Sequence, residues 1–317
     1  MSVKERFLQA CREHSWLGVE YILKGGLGRS YIPLGRIHRE INEVIDKAKE
    51  EAKKVELGLL KPHEAKRGAL IQIPRDHGKT SLVLARVLWE LGKNPNLLIK
   101  IVCASEEQAK KRIAFLRQHI EQNKNLHELF PHLKPHPNLS WSTTQLYVNR
   151  KLISVDPSVE ACGVLGSHTG SHSSLIIFDD IIDFKSAFVY PENLKKIESA
   201  VKENWMNILT NDGWFVMIFT PWTKEDVTLK MKEQTDLYYV YERMIDENYT
   251  PVWEERYPRE ALIQKEKEIG KTAFLRAYRG IIPESTSIFS REAILSCYDY
   301  NYSFGQYPPD TQFFCWG

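Results

Sequence analysis

Two short stretches carry residue types whose spacing could do phosphate chemistry. The first is Ile71-Gln72-Ile73-Pro74-Arg75-Asp76-His77-Gly78-Lys79-Thr80-Ser81. A strand-like run enters a Gly-Lys-Thr turn, and apolar Leu82, Val83, Leu84, Ala85, Val87 and Leu88 follow at helical density. Such a turn suits an anion. Gly78 lets the backbone approach without a side chain, and the free N–H groups and dipole of a helix start favour negative charge. Lys79 would neutralise the outer phosphates of a nucleotide, and the Thr80 hydroxyl would ligate Mg²⁺. The usual loop, GxxxxGK[ST], has an earlier glycine, and here Ile73 holds that position.

The second stretch is Leu175-Ile176-Ile177-Phe178-Asp179-Asp180, an apolar strand ending in two carboxylates. Beside a phosphate loop, the first acid of such a strand holds Mg²⁺ and the next polarises the attacking water. Asp179 fits the first role and Asp180 the second, with Asp183 as the fallback base. The plain structural alternative is an Asp pair capping the next turn.

These stretches must be placed by a sheet. Apolar runs at 69–73, 97–102, 175–178, 215–219 and 238–241 alternate with amphipathic segments at 80–91, 106–122 and 194–205. That alternation predicts an α/β fold, a mainly parallel sheet covered by helices on both faces. Residues 1–60 read as a helical N-terminal segment, with Ile37, Ile41, Val44, Ile45 and Ala48 at helical spacing. The core then runs from 61 to 250, a helical linker or lid from 251 to 305, and a strand-like stub from 306 to 317.

The 317 residues are 43% hydrophobic and 26% charged, ordinary for a globular protein. No apolar run reaches membrane-spanning length, and Met1–Ala10 has no signal-peptide core. None of the five cysteines forms a CxxC pair, so a zinc site or disulfide framework is not indicated. The net charge of +2 neither advertises nor excludes a nucleic-acid partner. Lys110-Lys111-Arg112 and Lys195-Lys196 read as solvated helix faces, with a DNA-facing surface as the alternative. His168 and His172 lack a third ligand, and 163–174 reads as a flexible Gly/Ser loop.

Five motifs in order resemble the P-loop ATPase domain of tailed-phage terminase large subunits. They are Pro74–Thr80; Ile101-Val102-Cys103-Ala104-Ser105 with Ala109; Leu175–Asp180; Phe219-Thr220-Pro221-Trp222 through Asp226; and Trp253-x-x-Arg256-Tyr257-Pro258 with Leu262, Gly270, Phe274 and Tyr278. The resemblance implies a motor using ATP and Mg²⁺ to drive viral double-stranded DNA into a procapsid. Its partners would be DNA, the capsid portal, the small terminase subunit and further copies of itself in a ring. The isolated chain would be a monomer in the host cytoplasm, with no membrane association.

By the same resemblance, residues 74–81 cradle the phosphates and Arg75 senses the γ-phosphate. Thr220 couples hydrolysis to motion, and His38 lies near the adenine or is a plain helix-surface histidine. Relatives often carry an arginine near position 170, where Thr169, Ser171 and His172 stand here, so the trans-acting arginine is not identified. Full-length relatives resemble a motor joined to a nuclease. This chain stops within Thr311–Gly317, before a nuclease aspartate, and is expected to hydrolyse ATP without cutting DNA. The competing readings are a helicase-like ATPase, a nucleotide kinase or a non-catalytic nucleotide-binding assembly protein. The first two lack their further motifs, and joint retention of Lys79, Thr80, Asp179 and Asp180 argues against the third.

Overall fold

A computed structural model describes residues 2–27, 31–166 and 171–283. The chain divides into a unit spanning Met1–Ile282 and a second spanning Pro283–Gly317, of which only Pro283 is described. The expected stub at 306–317, the end of the linker segment and His168 lie outside the described residues.

Three helices come first: α1 (Val3–Glu13), α2 (Ser15–Leu27) and α3 (Arg36–Glu56). The core follows as β1 (Gly68–Gln72), α4 (Lys79–Lys93), β2 (Ile99–Cys103), α5 (Glu106–Gln122), α6 (Lys124–Leu129), β3 (Gln145–Leu146), β4 (Val159–Gly163) and β5 (Ser173–Asp179). Next are α7 (Asn193–Ser199), α8 (Met206–Ile208), β6 (Leu209–Phe219), α9 (Val227–Lys232), β7 (Tyr239–Glu242), α10 (Arg259–Ile269) and α11 (Lys271–Arg279).

Among the described residues seven strands form one sheet, in the order β3-β4-β2-β5-β6-β1-β7. The β3–β4 pair is antiparallel and every other pair is parallel. Successive side chains of a strand leave opposite faces. In β1, Ala69 and Ile71 enter the core shared with α1–α6, whereas Leu70 enters the core formed with α7–α9. Both faces are therefore covered, which explains the unbroken apolar runs. Helices α1–α3 share their core with the sheet. A buried charge network also ties α3 to α4, in which Arg86 reaches Asp46 at 2.5 Å and Glu90 at 2.8 Å.

Three departures have physical reasons. Strand β4 is short and carries Glu160 and Gly163, which blur its apolar pattern. The helix expected over 194–205 is α-helical only to Ser199, and a π-helical turn spans Ala200–Trp205. There the Trp205 indole is fully buried and donates to the Val164 carbonyl at 2.8 Å. The segment after Pro251 stays irregular until α10 begins at Arg259, because Trp253 and Tyr257 are drawn onto the phosphate loop.

Candidate active site

Strand β6 lies between β1 and β5, so the ends of three parallel strands meet. Gln72 is paired with Phe219, and Asp179 with Ile218. The phosphate loop leaves β1, Thr220 leaves β6, and Asp179-Asp180 closes β5. Chain ends at this edge of an open parallel sheet form the usual crevice for a ligand.

The turn itself needs unusual backbone. Gly78 has φ +76° and caps α4 with no side-chain bond, and Asp76 has φ +60°. A Cβ on Gly78 would come within 3.3 Å of His38 Nε2 and 3.5 Å of the Trp253 ring. Glycine therefore serves both the left-handed turn and the close approach. His38 is fully buried, so the helix-surface alternative does not hold. Its Nδ1 accepts from the Gly35 N–H at 3.0 Å, which leaves Nε2 as the donor to the His77 carbonyl, also at 3.0 Å. His38 thus fixes the loop's backbone.

His77 is likewise fully buried, stacked on Tyr257 with ring centroids 4.9 Å apart. Burial pushes its pKa down to about 4 despite its bond to the Arg75 carbonyl, and it also lowers that of His38. Both rings are neutral at neutral pH.

Lys79 is buried, and its Nζ donates to the Thr220 hydroxyl at 2.5 Å and the Ile73 carbonyl at 3.3 Å. Burial holds its pKa below the usual lysine value, against the pull of Asp180 and Asp179. The Thr80 hydroxyl donates to Asp179 Oδ1 at 2.9 Å, and Arg112 Nε donates to Oδ2 at 2.5 Å. Asp179 is 1% exposed, and burial followed by the Asp180 charge pushes its pKa up. A buried carboxylate beside a hydroxyl offers the hard oxygen donors that Mg²⁺ prefers. Asp180 adopts φ +46° and donates its N–H to the Ile218 carbonyl at 3.0 Å.

Arg112 corrects the reading of the Lys110-Lys111-Arg112 run. Lys110 and Lys111 do form exposed helix pairs with Glu106 and Glu107, but Arg112 turns inward to Asp179. The (i, i+4) pattern explained the lysines, and nothing in the sequence alone marked Arg112 as different.

Two clefts meet at Arg75, Asp76 and Asp180. One, of about 310 Å³, is lined by Gly78, Lys79, Thr80 and Ser81 together with Leu23, Tyr31, Ile32, Leu34, Trp253 and Arg256. Its apolar wall beside a phosphate loop can take a flat base. Pro74 is buried at the start of the loop, and exposed Arg75 places its guanidinium 5.3 Å from the centre of the Trp222 ring. The 31–34 wall escaped the sequence reading. Its signal was the apolar Tyr31-Ile32-Pro33-Leu34 run just before the helix bearing His38. Asp183 is occupied, accepting from both the N–H and the hydroxyl of Ser186 at 2.9 Å.

The chain is similar to several known phage proteins. The large terminase subunit of Enterobacteria phage T3 is 29% identical over 194 residues, 60% of this chain but only 30% of that protein's length. Solved structures that are similar include the HK97 bacteriophage large terminase, at 13% identity and TM-score 0.49, covering 86% of this chain and 55% of that one. The Thermus phage P74-26 large terminase ATPase domain is also similar, at 18% identity and TM-score 0.42, covering 68% of this chain and 88% of that one. The family described as terminase large subunit, T4likevirus-type, N-terminal, matches residues 70–296, and the chain belongs to that family.

Proposed function

We propose that this chain is an ATPase motor that drives viral double-stranded DNA into a procapsid. The observation that carries the reading is the convergence of Lys79, Thr80, Asp179, Asp180 and Thr220 on three adjacent strand ends. Membership of the terminase family supports the packaging role.

In this reading the N–H groups of the loop and the Lys79 ammonium hold the outer phosphates. Tyr31, Ile32, Leu34 and Trp253 enclose the base. Thr80 and Asp179 hold Mg²⁺, which when bound neutralises charge developing on the phosphate oxygens. Asp180, at the mouth shared by both clefts, orients the attacking water and takes its proton. Arg75 leaves the Trp222 ring to follow the γ-phosphate. Thr220, bonded to Lys79, passes the change to β6 and the segment that follows it.

The partners assigned are DNA, the capsid portal, the small terminase subunit and neighbouring copies in a ring, with a monomer in isolation and work in the host cytoplasm. ATP hydrolysis without DNA cleavage is assigned to this chain, since Asp179 and Asp180 serve the nucleotide. Phosphate release should be slow in dilute protein and rise per subunit with protein concentration, DNA or portal, as neighbours complete the site. Fast turnover that stays constant on dilution would remove the ring from the proposal. Metal-dependent nicking of plasmid DNA, abolished by changing a carboxylate of this chain, would overturn the assignment of ATP hydrolysis alone.

A further inference from the structure

The second cleft, of about 550 Å³, shares Arg75, Asp76 and Asp180 with the first but is not lined by Gly78, Lys79, Thr80 or Ser81. Its walls come from the loop, α5, the Thr220-Pro221-Trp222 segment, α10 and α11. Five cations line it, and three already have carboxylate partners. Lys111 pairs with Glu107, Lys265 with Glu268, and Arg112 with Asp179. The other two are Arg75 and Arg276. Among the described residues neither guanidinium has an ion pair or a side-chain hydrogen bond.

Instead both lie against one indole. The Arg75 guanidinium is 5.3 Å and that of Arg276 5.6 Å from the centre of the Trp222 ring, and Arg276 also lies 4.9 Å from Phe188. Arg276 Nε is buried with no acceptor among the described residues, and burial alone lowers its pKa. Stacking on an aromatic face returns about 0.5–2 kcal/mol per cation but supplies no acceptor. Like charges gathered on one ring therefore leave several donors in forks suited to an oxyanion.

Of the carboxylates lining the cleft, Asp183 is hydrogen-bonded by Ser186, and neither Asp76 nor Asp180 forms an ion pair with Arg75 or Arg276 among the described residues.

We propose that Arg75, Trp222 and Arg276 form a second anion site that receives orthophosphate after hydrolysis, so that product leaves past Asp180 into this cleft rather than back across the bound nucleoside diphosphate. The choice of orthophosphate rests on the ATPase reading; the anion site rests on the two guanidiniums. Trp222 follows Thr220 by two residues, so an occupied site would also hold the segment proposed to couple hydrolysis to motion.

The test is calorimetric titration of the full chain with inorganic phosphate, at fixed ionic strength, with ADP and Mg²⁺ saturating the first cleft. Arg276→Ala is expected to weaken phosphate at least ~10-fold, the scale of one lost charge-assisted hydrogen bond, with ADP affinity unchanged as the control for folding. Arg276→Lys should recover part of the loss. Arg75→Ala should also weaken phosphate, but Arg75 lines the nucleotide cleft as well, so only Arg276→Ala carries the ADP control. Lys79→Ala should lose ADP yet keep phosphate. Unchanged phosphate affinity in both arginine variants overturns the site, as does phosphate binding that competes with ADP and vanishes in Lys79→Ala. Binding of a DNA duplex through Arg276 without orthophosphate overturns the choice of ligand. Wild-type chain that never hydrolyses ATP, yet binds phosphate through Arg276, defeats the ATPase reading and leaves the anion site standing.

Discussion

The Lys79 ammonium donates to the Thr220 hydroxyl at 2.5 Å, so the loop that would hold phosphate and the end of β6 share a hydrogen bond. An ammonium has three donors. One serves Thr220, one serves the Ile73 carbonyl, and one remains to point at phosphate. Thr220 can therefore feel a shift of Lys79 of a few tenths of an ångström. Thr220→Val keeps the shape and removes the acceptor. Nucleotide affinity is expected to fall by no more than ~10-fold, the scale of one unsatisfied buried donor. ATP consumed per length of DNA moved should rise. A variant that packages with wild-type economy would refute the coupling role.

Lys79 and Asp180 should separate binding from chemistry. Lys79→Ala removes the buried charge facing the phosphates and should abolish both nucleotide binding and turnover. Asp180→Asn should keep binding and lower turnover by at least ~10²-fold, as for loss of a water-activating group. The substitution is clean because asparagine tolerates the left-handed backbone that Asp180 adopts at φ +46°. Steady-state turnover beside equilibrium binding of a fluorescent nucleotide decides it. Wild-type turnover in Asp180→Asn would move the base elsewhere, and Asp183 would then have to break its bonds to Ser186.

What was legible in the sequence follows from how local each signal is. The Gly-Lys-Thr turn and the strand ending in Asp179-Asp180 are contiguous, and their chemistry survives without neighbours. Parallel strands buried on both faces read as apolar runs, so most of the central sheet was visible. Strand β4 was not, because Glu160 and Gly163 interrupt it, and Glu160 is held by Lys100 from the neighbouring strand. Arg112 was hidden for the opposite reason, since its helix surroundings look like any solvated face and its partner lies 67 residues away. The stacking of Tyr257 on His77 and the edge-to-face contact of Trp253 with His38 are also long-range. Local pattern identifies a loop that binds phosphate, but not which distant aromatic rings hold it in shape.

Arg112 gives a prediction that reads metal binding through stability. Its guanidinium is the cation beside a carboxylate that is 1% exposed. Arg112→Gln leaves Asp179 with the Thr80 hydroxyl and the repulsive Asp180, and breaking such a buried pair costs up to about 3–5 kcal/mol. The apparent Tm of the variant should fall. Saturating Mg²⁺ and ADP should then raise Tm by more than in the wild type, because a cation again faces Asp179. Equal ligand-induced shifts in the two proteins would show that Arg112 and the metal site are independent.

His77 makes the phosphate loop sensitive to acid. It is buried against Tyr257 and Tyr278, with His38, Lys79 and Arg256 as the nearby cationic or titratable nitrogens, and its pKa falls from 6.5 to about 4. The unfolded chain therefore binds a proton at this residue below about pH 6.5, whereas the folded chain resists it until about pH 4. Between those values the unfolded state holds more protons, so stability falls as pH falls. The contribution is fully present above 6.5, and its loss is complete below 4. The slope is about 1.4 kcal/mol per pH unit for one proton, giving a total of order 3 kcal/mol across the window. His38 and His119 are also depressed by burial and add in the same direction. His77→Gln cannot gain that proton, so its stability curve from denaturant melts should be flatter between pH 6.5 and 4 by up to one proton's slope. The variant will be less stable at pH 7.5 if its amide packs poorly, but that offset does not alter the slope. Parallel curves for the two proteins across that window would show that His77 does not titrate as a buried neutral ring.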